Sequence, residues 1–247
     1  MNNTLIKGLQ LLEFLARSET PLGVTELAGS LELGKSNVHR LLQALVELGY
    51  VQKNDTRGTY QATLKLWELG TALEGRLKIK AVARDAMERL LKETRETVHL
   101  SVLDGDEVVY IHKLDSPEPV RAYSEIGGRA PAYCVATGKA ILAWQDENYL
   151  NGLSRRLTRH TEKTITKPAD FLHELERIRS AGYAVNRGEW RETVWGVASP
   201  IITADGGVLA AIGISGPSAR IKPTMLKRLA SDVMAAAEKI SSQLLRA

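Results

Sequence analysis

The 247-residue chain holds a single cysteine, Cys134, which excludes an internal disulfide framework and any cysteine-rich zinc site. Nowhere do about 18 apolar residues run together, so no membrane span is expected. The first residues, MNNTLIKGLQLLEFLARSE, lack a basic region followed by a long apolar run and a cleavage site, so no secretory leader is read there. These absences point to a reducing, cytoplasmic address. There is no internal repeat and no low-complexity tract, and no Ser/His/Asp ordering or carboxylate pair suggests catalysis. Basic residues exceed acidic ones by only 33 to 29. That excess is too small to argue for a nucleic-acid partner, so the placement of the charge must decide.

What is present is ordinary globular material. Apolar residues make up 44% and charged residues 25%, values that exclude a disordered or fibrous chain. The length suggests about two domains, each able to bury a core. Leu5, Leu9, Leu12 and Ala16 recur at helical spacing and predict a helix over 4–17. Thr25 reads as the N-cap of a second short helix. A third runs from Lys35 to Leu48, closed by Gly49. Tyr50–Lys53 and Thr59–Thr63 read as two strands around a turn-rich segment, and Leu64–Lys80 as one linker helix. Beyond it a helix at 81–94 precedes strands at 98–103 and 107–114, joined by Asp104-Gly105-Asp106. Further strands are expected at 120–124, 198–203 and 208–215. Helices are expected at 135–144 and 169–181, and from Pro223 to about Leu245. Hairpins with helices around them indicate an α+β domain with an antiparallel sheet. The domain reading is 1–64, a linker at 65–80, and 81–247.

The third helix carries the functional signal. Val38, Leu41, Leu42 and Leu45 form one apolar stripe. Opposite lie Ser36, Arg40 and Gln43, flanked by Asn37 and His39, with Lys35 at the helix start. Such side chains hydrogen-bond base edges and phosphates when a recognition helix presents them. No acidic residue occurs from Gly34 to Val46, as a surface meeting phosphates requires. Lys53 and Arg57 stand where a wing would reach DNA.

One motif competes. Gly29 to Ser36 matches the phosphate-loop pattern GxxxxGKS, which would make the chain a nucleotide hydrolase. That loop needs a buried strand ahead of it, whereas the preceding VTELA reads as a helix, and Leu31 and Leu33 read as core. A DNA-binding structural protein without a ligand is a further alternative.

Long stretches, in order, resemble the IclR family of bacterial transcriptional regulators. They are GVTELAGSLELGKSNVHRLLQALVELGYV (23–51), YQATLKLWELG (60–70), VVYIHKLDS (108–116), RAYSEIGGRAPAYCVATGKAILAW (121–144), ERIRSAGYAVNRGEW (176–190) and VLAAIGISGPSARI (208–221). RETVHL (95–100), VVYIHKLDS and RAYSEIGGRAPAY are most similar to the sugar-acid subgroup typified by the 2-keto-3-deoxygluconate regulator. The resemblance implies a winged helix-turn-helix, a linker helix and a GAF/PAS-like effector domain. It also implies assembly as a homodimer or homotetramer on a pseudo-palindromic operator, and a small organic acid that alters DNA affinity.

The family's effector pocket maps onto Cys134, Val135, Ala136, Thr137 and Gly138, with Arg129 just upstream. It continues through Asn186, Glu189, Val194, Trp195 and Gly196 to Ser215. A helix N-terminus there would attract a carboxylate. Where the family often has Ser or Thr, Asp, Cys and Ser, this chain has Val135, Asn186, Gly196 and Gly213. Losing the acid at Asn186 favours an anion, so an acidic, hydroxylated ligand such as an aldonic or ketodeoxy sugar acid is expected. Cys134 reads as a packing residue, and His99 and His112 as satisfied core histidines. No metal, cofactor or catalytic residue is expected.

Overall fold

The computed structural model describes residues 2–75 and 77–245. The chain forms two compact units, residues 1–77 and 78–247.

In the first unit, helix α1 (Asn3–Arg17) is capped by Asn2, whose Oδ1 accepts the Thr4 and Leu5 N–H groups at 3.2 Å. A short strand β1 (Leu22–Gly23), helix α2 (Val24–Ser30) and helix α3 (Lys35–Glu47) follow. The expected cap at Thr25 is not made. Glu26 reaches back to the Gly23 N–H at 2.7 Å, so the helix begins two residues earlier with its first free donor satisfied. Gly49 closes α3 in the left-handed conformation, φ +76°, which only glycine adopts without strain. Strands β2 (Val51–Asn54) and β3 (Thr59–Ala62) form the hairpin, and β1 adds to it in the antiparallel order β1-β3-β2. Leu11, Leu15, Leu27, Val38, Leu42, Val51 and Tyr60 fill the core between helices and hairpin.

The expected continuous helix over 64–80 is interrupted. Helix α4 (Lys65–Glu74) ends at Gly75, and helix α5 (Lys78–Thr94) begins after it. Glycine is a poor helix former, and the Leu77 N–H turns back to the Glu74 carbonyl at 2.8 Å. Lys78 to Lys80 therefore belong to the helix expected to start at 81.

The second unit is built on a six-stranded antiparallel sheet. Its strands are β4 (Thr97–Asp104), β5 (Glu107–Leu114), β6 (Arg129–Pro131), β7 (Ala184–Arg187), β8 (Val194–Ile202) and β9 (Val208–Pro217), ordered β6-β5-β4-β9-β8-β7. Successive side chains alternate between its faces. Val98, Leu100, Val197, Ile201, Ile212 and Ile214 pack on α5 and on α9 (Leu226–Leu244). Val108, Ala184, Ala198 and Ala211 meet α6 (Ala136–Leu142), α7 (Glu147–Ser154) and α8 (Pro168–Ala181). The class is α+β, as expected. Pro223 opens a single 3-10 turn, Pro223–Met225, ahead of α9.

Residues 120–124 do not form the expected strand. Arg220 donates to the Val120 carbonyl at 2.9 Å and Lys113 to the Ser124 carbonyl at 2.6 Å. Side chains thus take the carbonyls a neighbouring strand would use, and β6 occupies the sheet edge beside β5 instead.

Candidate functional site

The polar face of α3 is open to solvent. Lys35, Ser36, His39, Arg40 and Gln43 are exposed and Asn37 is half-buried, while Val38, Leu41 and Leu42 are buried on the other side. The Arg40 guanidinium donates to Asn37 Oδ1 at 3.4 Å, a long bond that a base or phosphate could replace. At the hairpin, Arg57 is exposed beside the tip, its N–H held by Asn54 Oδ1 at 3.1 Å. Lys53 is paired with Asp55 at 2.8 Å. The phosphate-loop pattern falls on the end of α2, a turn, and the start of α3. A helix stands where that motif requires a strand, and Leu31 and Leu33 pack on the core. The hydrolase alternative therefore fails on geometry.

In the second unit a cavity opens between the start of α6, the sheet, the β7–β8 loop and residues 122–124. About 490 Å³ of non-atom space lies within it, part of it open solvent. Of the expected residues it gathers Val135, Ala136, Thr137, Asn186, Val194, Gly196 and Ser215. Val135 caps α6 without a side-chain bond to the free N–H groups behind it. Asn186 is buried and shaped by its own loop: its Oδ1 accepts the Gly188 and Glu189 N–H groups at 3.0 and 2.9 Å.

Five expected residues lie outside the lining, each for a visible reason. Arg129 is exposed on β6, where it pairs with Asp104 and, at 3.4 Å, with Glu107. Cys134 is fully buried in the core, and burial pushes its thiol up to about 12. Gly138 is required by packing, since a Cβ there would lie 2.2 Å from the Ala132 carbonyl oxygen. Glu189 is buried against Lys139 at 2.7 Å, and Lys139 also meets Glu174 at 3.3 Å. Trp195 packs with the α5/α9 core, on the opposite sheet face from its neighbours Val194 and Gly196.

The lining also includes residues outside the expected effector set, notably His99, which was read as a satisfied core histidine, and Tyr110, Ser124, Trp190 and Arg191. Alternation held a signal for His99. It sits between Val98 and Leu100, which face the other core, so its side chain must face the cavity side. Its Nε2 lies 2.6 Å from Ser215 Oγ and its Nδ1 3.3 Å from Ser124 Oγ. Burial, aided by the Lys113 charge and opposed by Asp115, pushes it down to about 4. Burial also pushes Tyr110 up to about 12. Arg191 stacks over Trp190 at 4.6 Å and donates to the Tyr123 carbonyl at 3.4 Å. It is the one cation in the lining, which contains no carboxylate. No group of three His, Cys, Asp or Glu side chains among the described residues could hold a metal. Among them, too, no helix is long and apolar enough to cross a membrane.

Comparison with known families agrees with this arrangement. The IclR helix-turn-helix domain matches residues 4–55, and the bacterial transcriptional regulator IclR C-terminal domain matches residues 71–242. The chain belongs to the IclR family. It is similar to the HTH-type transcriptional regulator KdgR of Escherichia coli (strain K12), 37% identical over 246 residues, covering 98% of this chain and 92% of the relative. The KdgR of Dickeya chrysanthemi is 34% identical over 244 residues, covering 98% and 80%. Among solved structures, the Thermotoga maritima IclR is 31% identical with a TM-score of 0.79, covering 99% of each chain. An IclR homolog from Microbacterium hydrocarbonoxydans complexed with 4-hydroxybenzoate is 25% identical with a TM-score of 0.84, covering 98% and 99%. This IclR-family chain is a DNA-binding transcriptional regulator of the ligand-responsive kind.

Proposed function

We propose that this IclR-family regulator reads double-stranded DNA through Lys35, Ser36, Asn37, His39, Arg40 and Gln43 of α3 and Lys53 and Arg57 of the hairpin. A small hydroxylated organic acid of the sugar-acid class, bound in the cavity, alters its DNA affinity. The observation that carries the effector reading is the lining itself: Arg191, several neutral hydrogen-bonding side chains and no carboxylate. An anion enters such a site without like-charge repulsion and gains a charge-assisted bond. The KdgR relatives and the hydroxybenzoate complex support an organic acid, and the subgroup resemblance supports a sugar acid.

The regulator works as a homodimer or homotetramer. Helix α4 buries none of its residues, and Leu64, Trp67, Leu69 and Leu73 are at least half exposed, an apolar surface suited to a partner. Two-fold symmetry implies pseudo-palindromic half-sites about one helical turn apart or a multiple of it. The effector acts by population shift, binding one arrangement of the assembly better. The protein acts on DNA in the cytoplasm and is a binding protein rather than an enzyme. Its Ser215–His99 pair is oriented by Ser124 rather than by a carboxylate, and an imidazole held near 4 is a weak base.

Selection of genomic fragments by the purified protein, with and without added gluconate or 2-keto-3-deoxygluconate, tests the reading. A few enriched sites beside sugar-acid genes, with recovery changed by one acid, are expected. Recovery at background in both conditions would overturn it. Enrichment untouched by any acid would favour the ligand-free DNA-binding alternative.

A further inference from the structure

Ser124 and Ser215 both line the cavity, and both lie within hydrogen-bond distance of the same buried imidazole, at 3.3 and 2.6 Å. The serines come from separate elements: Ser215 from β9 beside His99, and Ser124 from the segment that Lys113 and Arg220 pin in place. A neutral imidazole carries one N–H and one bare nitrogen. The serine facing the N–H must accept, which leaves its own O–H free. The serine facing the bare nitrogen must donate its proton there, which leaves only lone pairs free. Either tautomer gives this result, with the two serines exchanged.

We propose that His99 is a positioning residue that makes one cavity serine a donor and the other an acceptor, so that the site selects acids carrying a hydroxyl over the same acids lacking it. The donor serine meets a carboxylate or carbonyl oxygen. The acceptor serine gains a partner from a ligand O–H and none from a C–H in its place, because its own proton is committed to His99. A hydroxyl is thus read by polarity as well as by shape. The inference rests on the cavity being the effector site and goes further, to the feature that site reads.

Calorimetry with three matched pairs tests it: gluconate with hexanoate, lactate with propionate, and 4-hydroxybenzoate with benzoate. Wild type should bind the hydroxylated member of at least one pair about 10-fold more tightly, the range expected when a buried polar group is otherwise left unpaired. Ser124→Ala and Ser215→Ala should then differ from each other. One should bring the ratio within a pair close to one, and the other should weaken both members alike. In His99→Phe, where both hydroxyls turn freely, the ratio should fall while the acid still binds. If that variant does not fold, the two serine variants carry the test alone. Equal affinity within every bound pair, or serine variants that behave alike, would overturn the inference and leave the cavity reading standing. Binding of no acid at all would overturn both.

Discussion

The polar face of α3 and the cavity of the second unit are both proposed as surfaces for anions, yet they are built in opposite ways. The first comes from nine consecutive residues, 35–43, whose polar side chains are mostly exposed and share one long internal bond. The second is assembled from β4, β5, β7, β8, β9, the start of α6, the β7–β8 loop and residues 122–124, and most of its polar groups, though not the exposed Arg191 and Tyr123, are buried or half-buried and already hydrogen-bonded within the protein. A polyanion of fixed geometry can organise exposed side chains as it arrives, with released counterions supplying much of the affinity. A small ligand has little energy to spend on ordering, so its site must be ordered beforehand. Changes in the cavity and its support should therefore strike stability, and changes on α3 should strike binding alone.

The sharpest way to break that contrast is Lys139→Met. Lys139 is buried at 1% side-chain exposure and binds Glu189 at 2.7 Å, joining α6 to the β7–β8 loop that carries Trp190 and Arg191. Glu174 keeps Arg177 at 2.7 Å, so the loss falls on Glu189. Stranding that carboxylate should destabilise the chain by about 3–5 kcal/mol in urea unfolding, and Lys139→Met with Glu189→Leu should recover much of it. Arg40→Ala should stay within about 0.5 kcal/mol of wild type. Equal destabilisation by the two single changes would erase the distinction.

Next in size is the pH dependence set by His99. The unfolded chain takes up a proton on this residue below about 6.5, whereas the native state resists it until about 4. Stability is thus complete above 6.5 and falls as pH drops from 6.5 to 4, by on the order of 3 kcal/mol from this residue. Lys113 and Asp115 are the charges that modulate it. Urea midpoints across that window should fall less steeply in His99→Gln than in wild type, and parallel curves would refute the assignment.

The same contrast explains what could be read from the chain alone. The α3 stripe and the β2–β3 hairpin are local, set by helical spacing and turn residues, and they stand where spacing puts them. The break after Glu74 follows from Gly75, one poor helix former inside an otherwise periodic window, whereas the irregular path of 120–124 depends on the distant Arg220, which no window of periodicity contains. For the cavity, resemblance reached several of the segments that line it but not the direction of every side chain. Trp195 and Glu189 sit beside lining residues yet turn into the core and onto Lys139. His99 was legible only by giving weight to a polar residue inside an apolar strand, and nothing local marked Arg191.

On the DNA side the effects are smaller and separable. Arg40→Ala should weaken operator binding by roughly 1–3 kcal/mol and relax the preference for one base pair, as loss of a base-edge contact does. Competition against single-base operator variants would show it, and uniform weakening would reassign Arg40 to phosphate.

Arg57→Ala should act the other way, lowering affinity for operator and random DNA alike. It should also flatten the slope of log affinity against log salt by about 1. Titrations at several salt concentrations read this directly. Lys53→Ala is the control, because Asp55 at 2.8 Å already neutralises part of its charge. A phosphate must compete with that carboxylate, so the slope should change less than for Arg57, and removing Asp55 as Asp55→Asn should strengthen binding to any sequence. If Lys53→Ala flattened the slope as much as Arg57→Ala, the pair would have to open on contact with DNA. The hairpin would then resemble the cavity, with groups committed before the ligand arrives, more than it resembles the open face of α3.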